Sequence, residues 1–239
     1  MKRITLKSLF LLVNLSLFGQ EECKLHIQHL TDNFYVYTTY KKLNEVMYPS
    51  NSMYLVTDSG VVLFDSPWES SQFQPLLDSI YAKHNKKVVL AIATHYHDDR
   101  TAAFDFLRRK GVKTYSSKLT YELCEKYNEN KASFYFTNDT IFELGDYKFE
   151  TFYPGEGHTK DNIVIWFNDF KILYGGCLVK STDNITLGNI TDANIDEWPL
   201  SIEKLINKYP NRNFVIPGHF GWSSNLGLEH TLQLLMQKK

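Results

Sequence analysis

Residues 88–100 read VVLAIATHYHDDR, and this stretch indicates both the type of fold and the place of the chemistry. The apolar run 88–93 contains no polar residue, which is typical of a strand buried on both faces of a sheet. It leads directly into His95 and His97, whose rings can point to the same side because they are two residues apart in an extended segment. Asp99 is two residues further on and can join them. Because α/β folds place active sites at the carboxyl ends of strands, the sequence predicts a site here.

Three other ligand-type residues follow apolar runs later in the chain, and each lies next to a glycine: His158, Cys177 and His219. Glycine allows backbone segments to approach closely without a side-chain clash, so these loops can crowd around one point. With the first cluster they supply four imidazoles, one thiolate and one carboxylate, which are zinc-type ligands. We therefore predict two metal sites, one with three histidines and a water, the other with Asp, Cys, His and a water.

The segments around this cluster alternate between strand-rich and helix-containing stretches. Helical spacing of apolar residues predicts five helices, over 69–84, 101–110, 117–127, 196–208 and 225–237. Strand patterns fill 23–65 and 139–177, with short strands at 112–115 and 214–216. This order predicts an α/β fold with four layers, in which two mixed sheets pack face to face and helices cover the outside. No linker composition interrupts residues 21–239, so we predict one catalytic domain.

The first twenty residues have the composition of a secretory signal peptide. A basic start precedes an apolar run over residues 9–18, and Gly19 and Gln20 end it. The run is shorter than the roughly twenty residues that span a bilayer. We therefore predict a signal peptide over residues 1–20, export to the periplasm, and no stable membrane insertion. Lipidation at Cys23 is the alternative, which the acidic pair before it disfavours.

Charge and cysteine content narrow the range of partners. Removing residues 1–20 would leave 23 basic and 27 acidic residues, a net charge of −4, and no run of five basic residues occurs. The bulk charge therefore gives no support to a nucleic-acid partner. No heptad pattern or long apolar patch stands out, so we predict a monomer. The sequence leaves open whether Cys23 and Cys124 are free, buried or bridged, and favours a small core residue on a helix for Cys124.

The ligand pattern resembles the metallo-β-lactamase superfamily, and the likeness covers essentially the whole chain from about residue 25 to residue 235. The resemblance implies an αβ/βα sandwich with two zinc sites. It assigns the first site to His95, His97 and His158, and the second to Asp99, Cys177 and His219.

Two positions separate the subfamilies of this superfamily. Its thioesterases, lactonases and nucleases usually carry His where this chain has Arg100, and Asp where it has Cys177. Arg100 with Cys177 resembles instead the broad-spectrum di-zinc β-lactamases. The resemblance therefore implies two Zn²⁺ per chain and hydrolysis of the β-lactam amide bond of penicillins, cephalosporins and carbapenems by a metal-bound hydroxide, conferring antibiotic resistance. A thioester or lactone hydrolase and a non-catalytic zinc-binding protein are the alternatives.

The resemblance also implies roles for side chains around the metals. Asp99 would orient the attacking water, and Asn189 would contact the substrate and donate to the developing oxyanion, unless it only shapes its turn. Lys180 would bind the substrate carboxylate, with a solvated surface lysine as the alternative. The segment 39–50 would be a flap that closes over the substrate opposite Trp68, or else an ordinary exposed hairpin.

Further expectations concern the surroundings of these residues. Val46, Met47 and Tyr48 would supply the apolar contacts of the flap. Asp65 would set the geometry of the ligands together with Arg100. Asp98 departs from the family pattern because it adds a charge beside the predicted metals.

Overall fold

The computed structural model describes residues 25–237. The predicted signal peptide and Cys23 lie outside the described residues. Within residues 25–237, no helix is both long enough and apolar enough to cross a membrane.

The first sheet of the described chain has seven strands that lie side by side in sequence order. They are β1 (His26–Thr31), β2 (Phe34–Leu43), β3 (Val46–Thr57), β4 (Gly60–Phe64), β5 (Val88–Ile92), β6 (Lys113–Ser117) and β7 (Phe134–Phe136). Strands β1 to β4 pair antiparallel, and β4 to β7 pair parallel. The predicted turn between β3 and β4 needs its glycine, because Gly60 has a φ of +133° and a Cβ there would lie 2.6 Å from Val89.

The second sheet of the described chain has five strands in the order β12-β11-β10-β9-β8. They are β8 (Ile141–Leu144), β9 (Tyr147–Phe152), β10 (Val164–Phe167), β11 (Ile172–Gly176) and β12 (Phe214–Pro217). All neighbours pair antiparallel except β11 and β12, which run parallel. Both sheets are therefore mixed, as predicted.

The helices lie outside the two sheets. They are α1 (Phe73–His84), α2 (Asp98–Thr101), α3 (Phe104–Arg109), α4 (Lys118–Tyr127), α5 (Trp198–Lys208) and α6 (Gly227–Met236). One apolar cluster packs α1 and α3 on the first sheet, and another packs α5 and α6 on the second. A third fills the space between the sheets with residues such as Phe64, Phe167 and Ile216. The predicted four-layer α/β sandwich is confirmed, and the carboxyl ends of β5, β11 and β12 lie along one edge of it.

Three local predictions differ from the structure. The predicted helix 101–110 is two pieces, because the Ala103 amide donates to Ser66 Oγ (3.1 Å) where the helix would continue. The predicted helix 69–84 becomes α-helical only at Phe73, which places Pro75 in the first turn where a missing N–H costs nothing. Strand β7 was not predicted, because three residues are too few to show the alternation of apolar and polar side chains that identifies a strand.

Candidate metal centre

The six predicted ligands come from four loops that meet at this edge. His95, His97 and Asp99 follow β5 directly, and His158 lies in the loop between β9 and β10. The remaining two, Cys177 and His219, follow β11 and β12. The structure brings all six together, in three overlapping groups whose ligand atoms lie within 4.8 Å of one another: His95-His97-Asp99, His95-His158-Cys177 and Asp99-Cys177-His219.

The close approach of these loops depends on a glycine. The Gly218 amide donates to the Gly176 carbonyl at 2.7 Å, which joins the loops that follow β11 and β12. A Cβ on Gly218 would lie 2.7 Å from the backbone nitrogen of Cys177 and 2.8 Å from its Sγ. A larger residue would therefore push Cys177 and His219 apart.

The three predicted histidine ligands of the first site pack edge to face. Their ring centroids lie 4.8 Å (His95–His97), 5.1 Å (His95–His158) and 5.2 Å (His97–His158) apart. Burial holds the pKa of His95 and of His158 well below the usual range, so both rings are neutral, the form that binds a metal. His95 Nε2 is buried and has no hydrogen-bond partner among residues 25–237, which leaves its lone pair for a cation. Outside this trio, Asp192 Oδ2 lies 3.0 Å from His97 Nε2 and orients that ring.

The other predicted ligands form a tight triangle. Cys177 Sγ lies 3.3 Å from Asp99 Oδ2 and 3.2 Å from His219 Nε2, and the latter two atoms are 3.2 Å apart. Ligand atoms around one tetrahedral zinc ion lie about 3.3 to 3.6 Å apart, given bond lengths of about 2.0 to 2.3 Å. His219 Nδ1 lies 2.7 Å from the Pro49 carbonyl oxygen, which directs Nε2 toward the triangle.

Arg100 lies beneath this triangle and is completely buried. Its Nη2 is 2.8 Å from Asp99 Oδ2, 3.0 Å from Cys177 Sγ and 2.9 Å from the Gly218 carbonyl oxygen. Burial opposes ionisation of Asp99, yet the Arg100 charge holds the pKa of Asp99 well below its usual range. Burial raises the pKa of the Cys177 thiol although Arg100 opposes it, so ionisation at neutral pH needs a bound cation.

Asp65 anchors Arg100 from the far side, as the resemblance implied. Its Oδ2 accepts hydrogen bonds from the Tyr174 hydroxyl (2.6 Å) and from Arg100 Nη1 (3.4 Å). Both Asp65 oxygens also accept from Thr94, next to His95, at 2.6 Å (backbone) and 2.8 Å (hydroxyl). These contacts hold the end of β4 against the loop that carries His95, His97 and Asp99. Burial nevertheless raises the pKa of Asp65 to about 6.

A cavity of about 570 Å³ opens above the ligands. Trp68 forms one wall, and the loop between β11 and α5 supplies Lys180 and Asn189. Lys180 is 7% exposed and its Nζ lies 5.2 Å from the centre of the Trp198 ring, so it is not a solvated surface lysine. Burial lowers the pKa of Lys180. Asn189 Oδ1 accepts from the backbone and hydroxyl of Thr191, so this residue does shape its turn, while its Nδ2 has no partner in the described chain.

The hairpin of β2 and β3 reaches over this cavity, and its tip is the Asn44-Glu45 turn. Of the three predicted apolar contacts, Tyr48 lines the cavity and Val46 and Met47 do not. Met47 pairs with Lys42, on the face opposite to Tyr48, because side chains alternate along a strand. Leu43 lines the cavity and was not predicted.

Asp192 and Tyr174 also have site contacts that sequence reasoning did not assign. Asp192 belongs to the long irregular segment between β11 and α5, and loops of this length usually carry function. The length of the segment, and the resemblance of Asp192-Ala193-Asn194 to the β-lactamase subgroup, were signals for this region, but neither identified Asp192 as the partner of His97.

Comparison with known proteins gives a consistent result. Residues 47–219 match the profile of the metallo-beta-lactamase superfamily. The chain is 42% identical over 226 residues to a "Metallo-beta-lactamase type 2" of Elizabethkingia meningoseptica, covering 95% of this chain and 91% of that protein. It is 43% identical over 209 residues to "Metallo-beta-lactamase IND-1" of Chryseobacterium indologenes, covering 87% of each.

Solved structures agree with the sequence relatives. The crystal structure of metallo-beta-lactamase IND-7 superposes with a TM-score of 0.86 at 42% identity, covering 89% of this chain and 98% of that one. A metallo-beta-lactamase from Pontibacter korlensis gives the same TM-score at 34% identity, covering 89% of this chain and 99% of that one. The fold, the convergence of metal-ligand side chains and these relatives agree: the chain belongs to the metallo-β-lactamase superfamily and is a metal-binding protein.

Proposed function

We propose that the protein is a β-lactamase that uses two zinc ions to hydrolyse the amide bond of penicillins, cephalosporins and carbapenems, and so confers antibiotic resistance. The observation that carries the proposal is the convergence of six side chains with nitrogen, sulfur and oxygen donor atoms, four of which line one cavity: His97, Asp99, His158 and His219. Relatives that share 42–43% of its residues over most of the chain are named metallo-beta-lactamases.

The donor set fits two zinc ions better than one. Imidazole and thiolate are ligands that favour zinc over magnesium or calcium. His95, His97 and His158 would hold one ion, and Asp99, Cys177 and His219 the other. Each set supplies three protein ligands, which leaves the open coordination position that distinguishes a catalytic from a structural zinc site.

When bound, zinc supplies Lewis-acid polarisation of a carbonyl and lowers the pKa of water to about 7. Asp99 remains ionised because of Arg100, and its two oxygens face different neighbours. Oδ2 contacts Arg100, while Oδ1 lies 3.9 Å from His95 Nε2, toward the histidine half. Asp99 Oδ1 therefore faces the space between the two halves, where it accepts a hydrogen bond from the attacking water and orients it.

The cavity walls supply the substrate contacts. The Lys180 ammonium is a point charge at the edge of the site and pairs with the carboxylate that β-lactams share. Asn189 donates from Nδ2 to the lactam carbonyl oxygen as negative charge develops, and loss of one such donor typically costs about 10²-fold to 10³-fold in rate. Trp68 provides an apolar wall for the substituent of the substrate.

The test is hydrolysis of a carbapenem, a cephalosporin and a penicillin by purified, zinc-loaded protein, alongside a thioester and a lactone. We expect turnover of the β-lactams, loss of activity with a chelator, recovery with zinc, and no inhibition by clavulanate, which acylates serine enzymes. Faster turnover of the thioester or lactone, or no β-lactam turnover by protein shown to hold zinc, would overturn the proposal.

We also propose that the chain is exported to the periplasm and works there as a monomer, with no nucleic-acid partner. The composition of residues 1–20 and the acidic balance of the remaining chain support this. Cell fractionation with N-terminal sequencing of the mature protein tests export. Light scattering tests the oligomeric state.

A further inference from the structure

The hairpin formed by β2 and β3 is attached to the body of the protein near its root. The Gln72 side chain brackets the Tyr40 backbone, since Gln72 Oε1 accepts from the Tyr40 amide (2.9 Å) and Gln72 Nε2 donates to its carbonyl (2.6 Å). On the other strand, the Pro49 carbonyl contacts His219. The exposed apolar side chains Leu43, Val46 and Met47 lie beyond these anchors, toward the tip.

Lys41 lies on β2 between the Tyr40 anchor and the tip, and its side chain reaches the body of the protein. Its Nζ lies 2.8 Å from Asp98 Oδ2 and 3.7 Å from Glu69 Oε1. The same ammonium lies 5.0 Å from the centre of the Trp68 ring, which walls the cavity. Asp98 stands between two proposed ligands, so this contact joins the hairpin to the ligand-bearing loop.

Strand geometry places Lys41 and Lys42 on opposite faces. Lys41 and Leu43 are two residues apart and share the face that looks onto the cavity. Lys42 points away and pairs with Glu45 within the hairpin itself. The two neighbouring lysines therefore differ in one respect that matters here, the attachment of the hairpin to the body.

We propose that Lys41 is a positioning residue, whose ion pair with Asp98 holds the hairpin segment 42–47 over the cavity and so sets how tightly the site holds its substrate. The effect on substrate binding rests on the proposed function, whereas the attachment of the hairpin by Lys41 does not. The groups that face Lys41 come from three elements of the body: Asp98 from the ligand loop, Glu69 and Trp68 from the segment after β4, and Glu129 from the end of α4.

The ammonium is charged across the neutral range. Partial burial works against the charge, but the hydrogen bond and the charge of Asp98 raise the pKa of Lys41. The two side chains are 27% and 42% exposed, and ion pairs of this exposure typically shift an equilibrium by roughly twofold to fivefold. A contribution this small would let the ion pair break and re-form as the hairpin moves.

Hydrogen–deuterium exchange of peptides covering residues 42–47 tests the attachment in zinc-loaded protein. We expect roughly twofold to fivefold faster exchange in Lys41→Met and Asp98→Asn, no further increase in the double variant, and recovery in Lys41→Arg. Lys42→Met is the matched control, and we expect it to exchange within about 1.5-fold of the native rate. Thermal midpoints report whether each variant is folded.

Steady-state kinetics on a bulky cephalosporin provide the second readout. We expect Lys41→Met to raise KM roughly twofold to fivefold while kcat stays within about twofold, because the hairpin holds substrate and carries no reacting group. Native exchange rates in Lys41→Met, or equal acceleration in Lys42→Met, would overturn the inference. Faster exchange in Lys41→Met without β-lactam turnover by any variant would leave the attachment standing and refute the proposed function instead.

Discussion

In one half of the candidate site, His95, His97 and His158 meet edge to face, and burial keeps two of these rings neutral. In the other half, Asp99 and Cys177 lie against the buried charge of Arg100. The first half is thus held largely by packing, with two hydrogen-bond contacts from outside it, one between His97 Nε2 and Asp192 Oδ2 and one between His95 Nδ1 and Thr94 Oγ1. The second half is held by electrostatics. The comparison teaches that the two halves of one candidate site are held by different forces, so we expect them to respond to mutation in different ways.

The largest expected effect comes from removing Arg100. Arg100→Met would leave Asp99 and Asp65 buried without their cation, and breaking a buried pair in this way costs about 3 to 5 kcal/mol. We expect that loss in the free energy of unfolding of the metal-free protein, measured by denaturant titration, together with loss of one zinc ion per chain. Arg109→Met, at an exposed position, is the control. Native stability with two zinc ions in Arg100→Met would contradict the electrostatic account of this half.

Cys177→Ser tests whether the halves bind metal separately. We expect zinc affinity in the second half to fall by more than about 100-fold, the upper range for losing a residue that merely supports a ligand. The first half should bind as before, which competition with a chromophoric chelator can show. Cys124→Ser, a buried thiol on α4, is the control. If both zinc ions titrate unchanged in Cys177→Ser, the assignment of ligands is wrong.

Asp192→Asn tests the first half in the same way. The variant keeps the size of the side chain but weakens the acceptor that orients His97, so we expect zinc affinity to drop about 10-fold in the histidine half alone. Asp196→Asn, exposed in the same loop, should change neither site. An equal loss of affinity in both halves would mean that the two sites are not independent.

The last expected effect is a pH dependence of the stability of the metal-free protein. Burial raises the pKa of Asp65 to about 6, above its value of about 3.9 in the unfolded chain. The folded state therefore binds this proton more tightly, and stability from Asp65 is present below pH 4 and lost as the pH rises through 6. We expect Asp65→Asn to remove about 2 to 3 kcal/mol of that decline in the metal-free protein.

The control for this profile is Asp146→Asn, an exposed carboxylate that should leave the decline intact. Part of the decline should also survive in Asp65→Asn, since burial raises the pKa of Asp161 to about 6 as well. Identical profiles for the native protein and Asp65→Asn between pH 4 and 7 would show that Asp65 stays ionised.

The layers and the convergence of the six side chains could be predicted because their signals are local. An uninterrupted apolar strand ends at His95, and glycines stand beside His158, Cys177 and His219. Strand direction then brings these ends to one edge. The burial of Lys180 and the break in the helix near Ala103 could not be predicted in this way. The burial of Lys180 depends on packing against Trp198, and the helix break depends on a hydrogen bond that the Ala103 amide donates to Ser66, 37 positions away in sequence.

The same limit applies to the contacts that orient the ligands. His97 meets Asp192 across 95 residues, and Lys41 meets Asp98 across 57. Side chains of these types are common on any surface, so their partners become visible only once the sheets are assembled. Sequence reasoning therefore predicted the six ligand side chains and the roles of Arg100 and Asp65 beside them, but not the pairing of His97 with Asp192 or of Lys41 with Asp98.

The most direct test of the two-site account is anomalous diffraction at the zinc absorption edge from zinc-loaded crystals. We predict two peaks in the cavity, one bonded to His95, His97 and His158, the other to Asp99, Cys177 and His219. A single peak shared by all six side chains, or a Cys177 turned away from both metals, would contradict it.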